Sequence, residues 1–197
     1  PTEAEPMSAR GSEFIRTSCI SKTAAVLFGL GCGNGFPLVT TLSQGRDAMS
    51  YDNLRKGRFS APGHEYLVTS ATHRRAPVFA DFRAARALIC VLRESADAGT
   101  AEWLAWVIMP DHLHALLRLE ASTDLGKLMQ TVKGRSARRI NALAARRQRL
   151  WQPGFHDHAL RAEEDRMAVA RYIVANPLRA GLVRRIGDYP HWDCVWL

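Results

Sequence analysis

The chain has 197 residues, of which 47% are hydrophobic and 23% are charged. This ordinary globular composition excludes extensive disorder, and the length suits one domain with extensions better than two full domains. A net charge of +8 favours a polyanionic partner, nucleic acid above all. No stretch contains the roughly 18–20 uninterrupted apolar residues of a membrane span, so no membrane partner is expected.

The first 48 residues differ from the rest of the sequence. RGSEF, residues 10–14, corresponds to two adjacent cloning-site hexamers read in one frame, and the segment after it has no sustained period. We interpret residues 1–48 as a leader or vector-derived extension and residues 49–197 as a single catalytic domain that begins at Met49. An alternative interpretation is that the apolar stretch 23–39 belongs to a cleaved signal peptide.

The four cysteines have no C-x-x-C spacing and therefore give no sign of a metal or redox pair. They are Cys19, Cys32, Cys90 and Cys194. We interpret them as free thiols of a reducing compartment, the cytoplasm.

Strand and helix patterns alternate through the first half of the domain. Residues 64–73 have strand composition, and residues 81–99 carry apolar residues at helical spacing with Gly99 as a stop. Residues 101–109 and 112–119 then read as two strands joined tightly at Pro110 and Asp111, which predicts a hairpin.

The second half continues the alternation. Residues 122–149 begin with capping chemistry and predict a long basic helix with a break near Gly134, and residues 155–161 predict a fourth strand. A last helix is predicted over residues 163–177, with its end enforced by Pro177. The order β-α-β-β-α-β-α predicts an α+β domain of ferredoxin-like type, with an antiparallel sheet and an added C-terminal helix.

Two histidines interrupt the apolar strand 112–119. Residues two apart in a strand point to the same face, so His112 and His114 present two imidazoles side by side while Leu113 faces the other way. Such a pair can bind a metal together with a third protein ligand. The alternative is a half-exposed strand with two surface histidines.

A second pair, His156 and His158, reads as a polar edge or as a neighbour of the active site.

A tyrosine and an asparagine share one face of the last predicted helix. Tyr172 and Asn176 are four residues apart, which places them one turn from each other. A tyrosine hydroxyl can serve as a covalent nucleophile, and an amide oxygen can complete a metal shell. The alternative is a core aromatic followed by a helix cap.

The H-x-H strand, the Y-x-x-x-N helix and the basic surface together describe a metal-assisted DNA strand-transfer site. Four segments carry a family likeness: YDNLRKGR, MPDHLHALL, LWQPGFHDHALR and YIVANPLRAGLV. Through them, residues 49–197 resemble the single-tyrosine HUH transposases, in particular the REP-associated tyrosine transposases. The resemblance implies a DNA nicking and joining enzyme that forms a 5′-phosphotyrosine on single-stranded DNA beside hairpins of palindromic repeats.

Carried over by position, the resemblance makes Tyr172 the nucleophile, His112 and His114 the paired metal ligands, and Asn176 the third ligand. Many insertion-sequence relatives have glutamine at that last position. Mg²⁺ or Mn²⁺ is the expected ion. His158 is a candidate base or metal-orienting side chain. The resemblance leaves both a monomer and a homodimer open, and it implies a nucleoid-associated location.

Basic side chains cluster before the domain's first strand and along the long helix, where they can track phosphates or form a solvated face. The predicted DNA-binding residues are Arg55, Lys56, Arg58, Lys133, Arg135, Arg138, Arg139, Arg146, Arg147 and Arg149. Three tryptophans can stack on unpaired bases or fill the core: Trp103, Trp106 and Trp151.

Two rival functions remain open from the sequence. A relative without catalytic activity would hold hairpin DNA without cutting it. A Zn²⁺ hydrolase would use the histidine pair with a carboxylate such as Asp111 or Asp157, but it would leave Tyr172 unexplained.

Overall fold

The computed structural model describes residues 62–120 and 123–197. Within these residues, strands and helices alternate as the sequence predicts. The strands are β1 (Glu65–Ala71), β2 (Ala101–Met109), β3 (His112–Leu119), β4 (His156–Ala159) and β5 (Trp192–Cys194). The helices are α1 (Phe82–Asp97), α2 (Leu125–Leu143), α3 (Arg166–Val174) and α4 (Asn176–Arg179).

The strands form one sheet in the order β4-β1-β3-β2-β5, and every neighbouring pair is antiparallel. The first four have the ferredoxin-like arrangement, so the predicted fold class is confirmed. β5 was not predicted. It has only three residues, and its strand conformation comes from pairing with β2 at Ala105 to Val107.

Helices cover both faces of this sheet. α1 and α2 pack on one face, where the odd-numbered residues of β3, such as Leu113 and Leu117, join their core. α3 packs on the other face, where Ala170 and Ile173 join the core around Leu116. The even-numbered histidines of β3 therefore lie on the α3 face of the sheet.

An aspartate caps the start of each of the three longer helices. The carboxylates of Asp81, Asp124 and Asp165 accept hydrogen bonds from main-chain N–H groups of the first turn that would otherwise lack partners. The sequence placed the start of α3 two or three residues too early because Glu163 and Glu164 precede the true cap, Asp165.

α2 is shorter than predicted and runs unbroken through Gly134. It ends at Leu143 because Ala145 takes a left-handed conformation with φ of 46°. The Ala145 N–H then donates to the Ala142 carbonyl and the Arg146 N–H to the Asn141 carbonyl, the two bonds of a Schellman motif. Three of the basic residues predicted on this helix therefore lie beyond it: Arg146, Arg147 and Arg149.

The prediction that Pro177 ends the last helix was wrong. α3 ends at Val174, and Pro177 lies in the first turn of α4. Proline suits that position because the first residues of a helix need no N–H donor and its fixed φ matches the helix. The chain thus keeps Tyr172 and Asn176 on consecutive turns, although they belong to two helices.

All three predicted base-stacking tryptophans are buried, so the core alternative is correct for them. Trp103 and Trp151 satisfy their indole N–H groups on Ser95 and Ser136, at 2.8 and 3.0 Å, and Trp106 lies in the same core. In the part of the chain that the structure describes, Cys90 and Cys194 are free thiols.

No helix in the described ranges is long and apolar enough to cross a membrane. The predicted boundary at residues 48 and 49 lies outside the described residues. So do three predicted DNA-binding residues: Arg55, Lys56 and Arg58.

Candidate active site

The candidate active site lies on the α3 face of the sheet, at the beginning of β3. His112 pairs with Ala71 of β1, and His114 pairs with Thr69. The two imidazoles are direct neighbours on this face, with ring centroids 6.2 Å apart and planes inclined at 78°. The structure thus confirms that the histidine pair shares one face, as the strand period predicts.

Each imidazole is held through its Nδ1 atom. For His112, Nδ1 lies 2.6 Å from a carboxylate oxygen of Asp111, and for His114, Nδ1 lies 3.1 Å from the hydroxyl of Thr69. Asp111 is itself fixed by Arg75, whose Nε lies 3.4 Å from its second oxygen. These contacts set the orientation of both rings and leave Nε2 as the atom free to act in each.

The Nε2 atom of His114 is buried and has no hydrogen-bond partner among the described residues. Burial, together with the nearby His112 and Arg179, lowers the pKa of His114 from 6.5 to about 4. The ring is therefore neutral at physiological pH, and Nε2 carries a free lone pair in the tautomer in which the Nδ1–H donates to the Thr69 hydroxyl. A buried lone pair without a partner is what a metal ligand needs.

Tyr172 approaches this pair from α3. Ile173 and Val174 of the same helix are buried against the sheet, whereas the side chain of Tyr172 is 53% exposed. Its ring centroid lies 6.4 Å from that of His114. One chain therefore brings the phenol and the imidazoles together.

Asn176 lies one turn beyond Tyr172, and its amide has two separate roles. Pro177 has no N–H to bond the Ile173 carbonyl, and Nδ2 of Asn176 donates to that carbonyl at 2.9 Å instead. The amide oxygen is left facing away from this bond, and it accepts a 2.6 Å hydrogen bond from Nη2 of Arg179. Asn176 thus completes the helix junction while presenting an oxygen acceptor.

Among the described residues, acidic, histidine and cysteine side chains alone do not make up a metal ligand set. No group of three or more such residues within the described ranges could hold an ion. Asp111 contacts His112 through Nδ1, the side of the ring opposite its free nitrogen. A cation bound by the histidine pair would therefore take its further ligands from an amide such as that of Asn176, from water or from a substrate.

His158, the predicted candidate base, lies on β4 and is engaged elsewhere. Its Nε2 is 3.0 Å from the carboxylate of Glu164, and both side chains are substantially exposed. Its neighbour His156 pairs with Thr69, which in turn pairs with His114. Because paired residues share a face, His156 lies in the same row across the sheet as His114. Only the register of β4 shows this, because the H-x-H spacing alone treats His156 and His158 alike.

Several predicted DNA-binding residues have protein partners. Lys133 donates to the carbonyls of Gln152 and Gly154, and Arg149 donates to that of Trp151. Arg135 and Arg139 both pair with Glu94 of α1. The other three lie around an open cleft of about 550 Å³ at the end of α2: Arg138, Arg146 and Arg147.

The comparison with known protein families agrees with this geometry. The family model described as "Transposase IS200 like" matches residues 60–176, more than half of the chain. The chain belongs to the IS200-like transposase family. The match includes His112, His114, Tyr172 and Asn176, and it ends before Arg179.

This IS200-like transposase also has relatives with printed names. A REP-associated tyrosine transposase of Escherichia coli (strain K12) is 31% identical over 87 residues, which cover 44% of this chain and 50% of the relative. A Haemophilus influenzae relative is 28% identical over 100 residues, covering 46% of this chain and 57% of its own. The chain thus spans about half the length of the curated relatives it matches.

Among solved structures, a REP-associated tyrosine transposase bound to a REP hairpin is 26% identical to this IS200-like transposase. The likeness covers 68% of this chain and 79% of that one, with a TM-score of 0.55. The mixed α+β fold with its five-stranded antiparallel sheet is therefore the fold of this family.

Proposed function

We propose that this IS200-like transposase is a metal-dependent endonuclease and strand transferase that acts on single-stranded DNA beside hairpin-forming repeats. The observation that carries the proposal is the convergence of the His112 and His114 imidazoles with the exposed phenol of Tyr172. The named REP-associated relatives and the hairpin-bound structure support the choice of DNA as substrate.

Tyr172 would be the nucleophile. Its phenol oxygen would form a bond to the scissile phosphorus while the bond to the 3′ oxygen breaks, giving a 5′-phosphotyrosine and a free 3′-hydroxyl. The phenolic proton would pass to a nearby base or water, and the departing oxygen would take up a proton. Because the phosphotyrosine keeps a phosphodiester bond, another 3′-hydroxyl could reverse the step and join two strands without a nucleotide cofactor.

His112 and His114 would hold a divalent cation, Mg²⁺ or Mn²⁺, with the amide oxygen of Asn176 as a further ligand. The unpartnered Nε2 of His114 and the Nδ1 contacts of both rings fit this role. When bound, such an ion stabilises the charge that develops on the non-bridging phosphate oxygens. The amide oxygen of Asn176 has two lone pairs, so it could bind the ion with one of them and keep its hydrogen bond from Arg179 on the other.

The assay that tests this function uses the full chain and a hairpin oligonucleotide with a labelled single-stranded flank. With Mg²⁺ or Mn²⁺ we expect a protein-linked product on the 5′ end of the cleaved flank, seen as a labelled band that survives denaturation. A released 5′-phosphate would indicate a metal-dependent hydrolase instead. A shifted but uncut oligonucleotide would identify a hairpin-binding protein without catalytic activity.

Asp111 gives a second test, aimed at the metal. Because its carboxylate orients His112, Asp111→Ala should weaken Mn²⁺ binding by about 10- to 100-fold, the usual effect of removing such a partner. Titration calorimetry or Mn²⁺ electron paramagnetic resonance would measure the affinity. Asp97→Ala, an exposed carboxylate at the far end of α1, removes the same charge away from the site and should leave it unchanged. Equal affinities in both variants would argue against His112 as a ligand.

A further inference from the structure

We propose that Arg179 is the positioning residue of the nucleophile: its guanidinium holds the ring of Tyr172 and the amide of Asn176 in the arrangement required for attack. The inference rests on the proposed function. Neither the sequence patterns nor the family match, which ends at residue 176, assigns a role to this residue.

Arg179 contacts both site residues of the helix junction at once. Its guanidinium carbon lies 3.7 Å from the centroid of the Tyr172 ring, so the cation stacks on the aromatic face. Nη1 donates to the main-chain carbonyl of Tyr172 at 2.8 Å. Nη2 donates to the amide oxygen of Asn176 at 2.6 Å. One rigid planar group thus fixes a ring, a carbonyl and an amide.

These contacts matter because the phenol hydroxyl has no hydrogen-bond partner among the described residues, and the other aromatic contact of the ring in that part of the chain is the one with His114. The ring of Tyr172 is more than half exposed, while its neighbours on α3 pack into the core. An exposed aromatic side chain would otherwise exchange between rotamers on a fast timescale. Stacking by Arg179 keeps the Tyr172 ring close to His114. The hydrogen bond from Arg179 likewise fixes the position of the Asn176 amide oxygen.

The charge of Arg179 also acts on the site. No carboxylate within the described ranges forms an ion pair with Arg179. The cation therefore keeps an unsatisfied preference for an anion, and a scissile phosphate approaching Tyr172 would enter its field. A residue that both orients the nucleophile and attracts the phosphate reduces the cost of bringing the two together.

Arginine suits this position better than lysine. The planar guanidinium can stack on a ring and donate two in-plane hydrogen bonds at the same time, whereas an ammonium group is a compact charge without a plane. Arg179→Lys keeps the charge and loses this geometry. Arg179→Met keeps much of the side-chain length and loses both.

The experiment compares Arg179→Met and Arg179→Lys with the wild type. The rate of phosphotyrosine formation is measured in single turnovers at saturating oligonucleotide with Mg²⁺, and hairpin affinity is measured separately. We expect the rate in Arg179→Met to fall on the order of 10²-fold, the scale of misplacing a reacting group, while the affinity changes by about threefold or less. Arg179→Lys should recover only a minor part of the rate.

Arg171→Met is the matched control, because Arg171 is an exposed arginine of α3, next to Tyr172 in the sequence, whose side chain forms no hydrogen bond, ion pair or stacking contact with Tyr172 among the described residues. It should form the adduct at the wild-type rate. A wild-type rate in Arg179→Met would overturn the inference and leave the proposed function standing. Parallel losses of rate, affinity and melting temperature in Arg179→Met would also overturn it, since they indicate a merely structural role. A wild-type protein that forms no adduct would overturn both proposals.

Discussion

Replacing Tyr172 with phenylalanine should abolish the covalent DNA adduct while hairpin binding stays largely intact. The substitution removes only the hydroxyl, and the ring can keep its stacking against Arg179 and its place 6.4 Å from His114. No other group described at the site could form a phosphotyrosine. We expect the adduct to fall below detection on a denaturing gel, and the dissociation constant of the hairpin to change by about twofold or less.

Tyr189→Phe provides the control for this result. Tyr189 is a half-buried tyrosine whose hydroxyl donates to the Ile108 carbonyl at 2.7 Å, so the variant loses a structural hydrogen bond worth about 1 kcal/mol. It should be slightly less stable and still form the adduct. An adduct of undiminished yield in Tyr172→Phe would disprove the assignment of Tyr172.

Replacing His114 with alanine should reduce adduct formation on the order of 10²- to 10³-fold, comparable to the loss of one group that stabilises transition-state charge. His114 is the better of the two histidines for this test, because its Nε2 is buried and has no hydrogen-bond partner among the described residues. Removing the ring therefore breaks no structural hydrogen bond at that nitrogen. EDTA should suppress the wild-type reaction to a similar level, and added Mn²⁺ should restore it. Single-turnover gel assays with and without chelator measure both effects.

His64→Ala is the corresponding control, since His64 is an exposed histidine at the opposite end of β1. Its rate and its response to EDTA should match the wild type. Melting temperatures of both variants establish that they fold. If His114→Ala cleaves normally, or if EDTA has no effect, the reaction does not use a cation at this pair.

The number of basic residues in the sequence does not show which of them are available to bind DNA. The sequence places many cations on or near α2, yet Arg135 and Arg139 share Glu94, and Lys133 holds two carbonyls of the segment before β4. Exposed pairs of this kind are weak, so a phosphate could still compete for the arginines. The cleft lined by Arg138, Arg146 and Arg147 has no acidic side chain among its described lining residues.

The sequence by itself determined the order of the elements from β1 to α3, the hairpin and the ferredoxin-like fold. It did so because the relevant signals are local: alternating and helical hydrophobic periods, aspartate caps, and a tight turn at Pro110 and Asp111. The same strand period determined that His112 and His114 share a face. The junction at Pro177 misled, because proline is equally compatible with the end of one helix and the first turn of the next. The end of α2 and the strand β5 were not predicted either, because the left-handed conformation of Ala145 and the pairing with β2 have no local signal in the sequence.

The tertiary structure alone decided how the site is completed. Thr69 is 45 residues from His114 and reaches it only through the β1–β3 register, and β5 has no strand conformation without β2 beside it. Which nitrogen of His114 is free depends on the long-range contact with Thr69. The stacking of Arg179 on Tyr172 crosses a helix break that the sequence did not predict. Local periodicity encodes the face on which a side chain lies, but it does not encode which distant group meets it there.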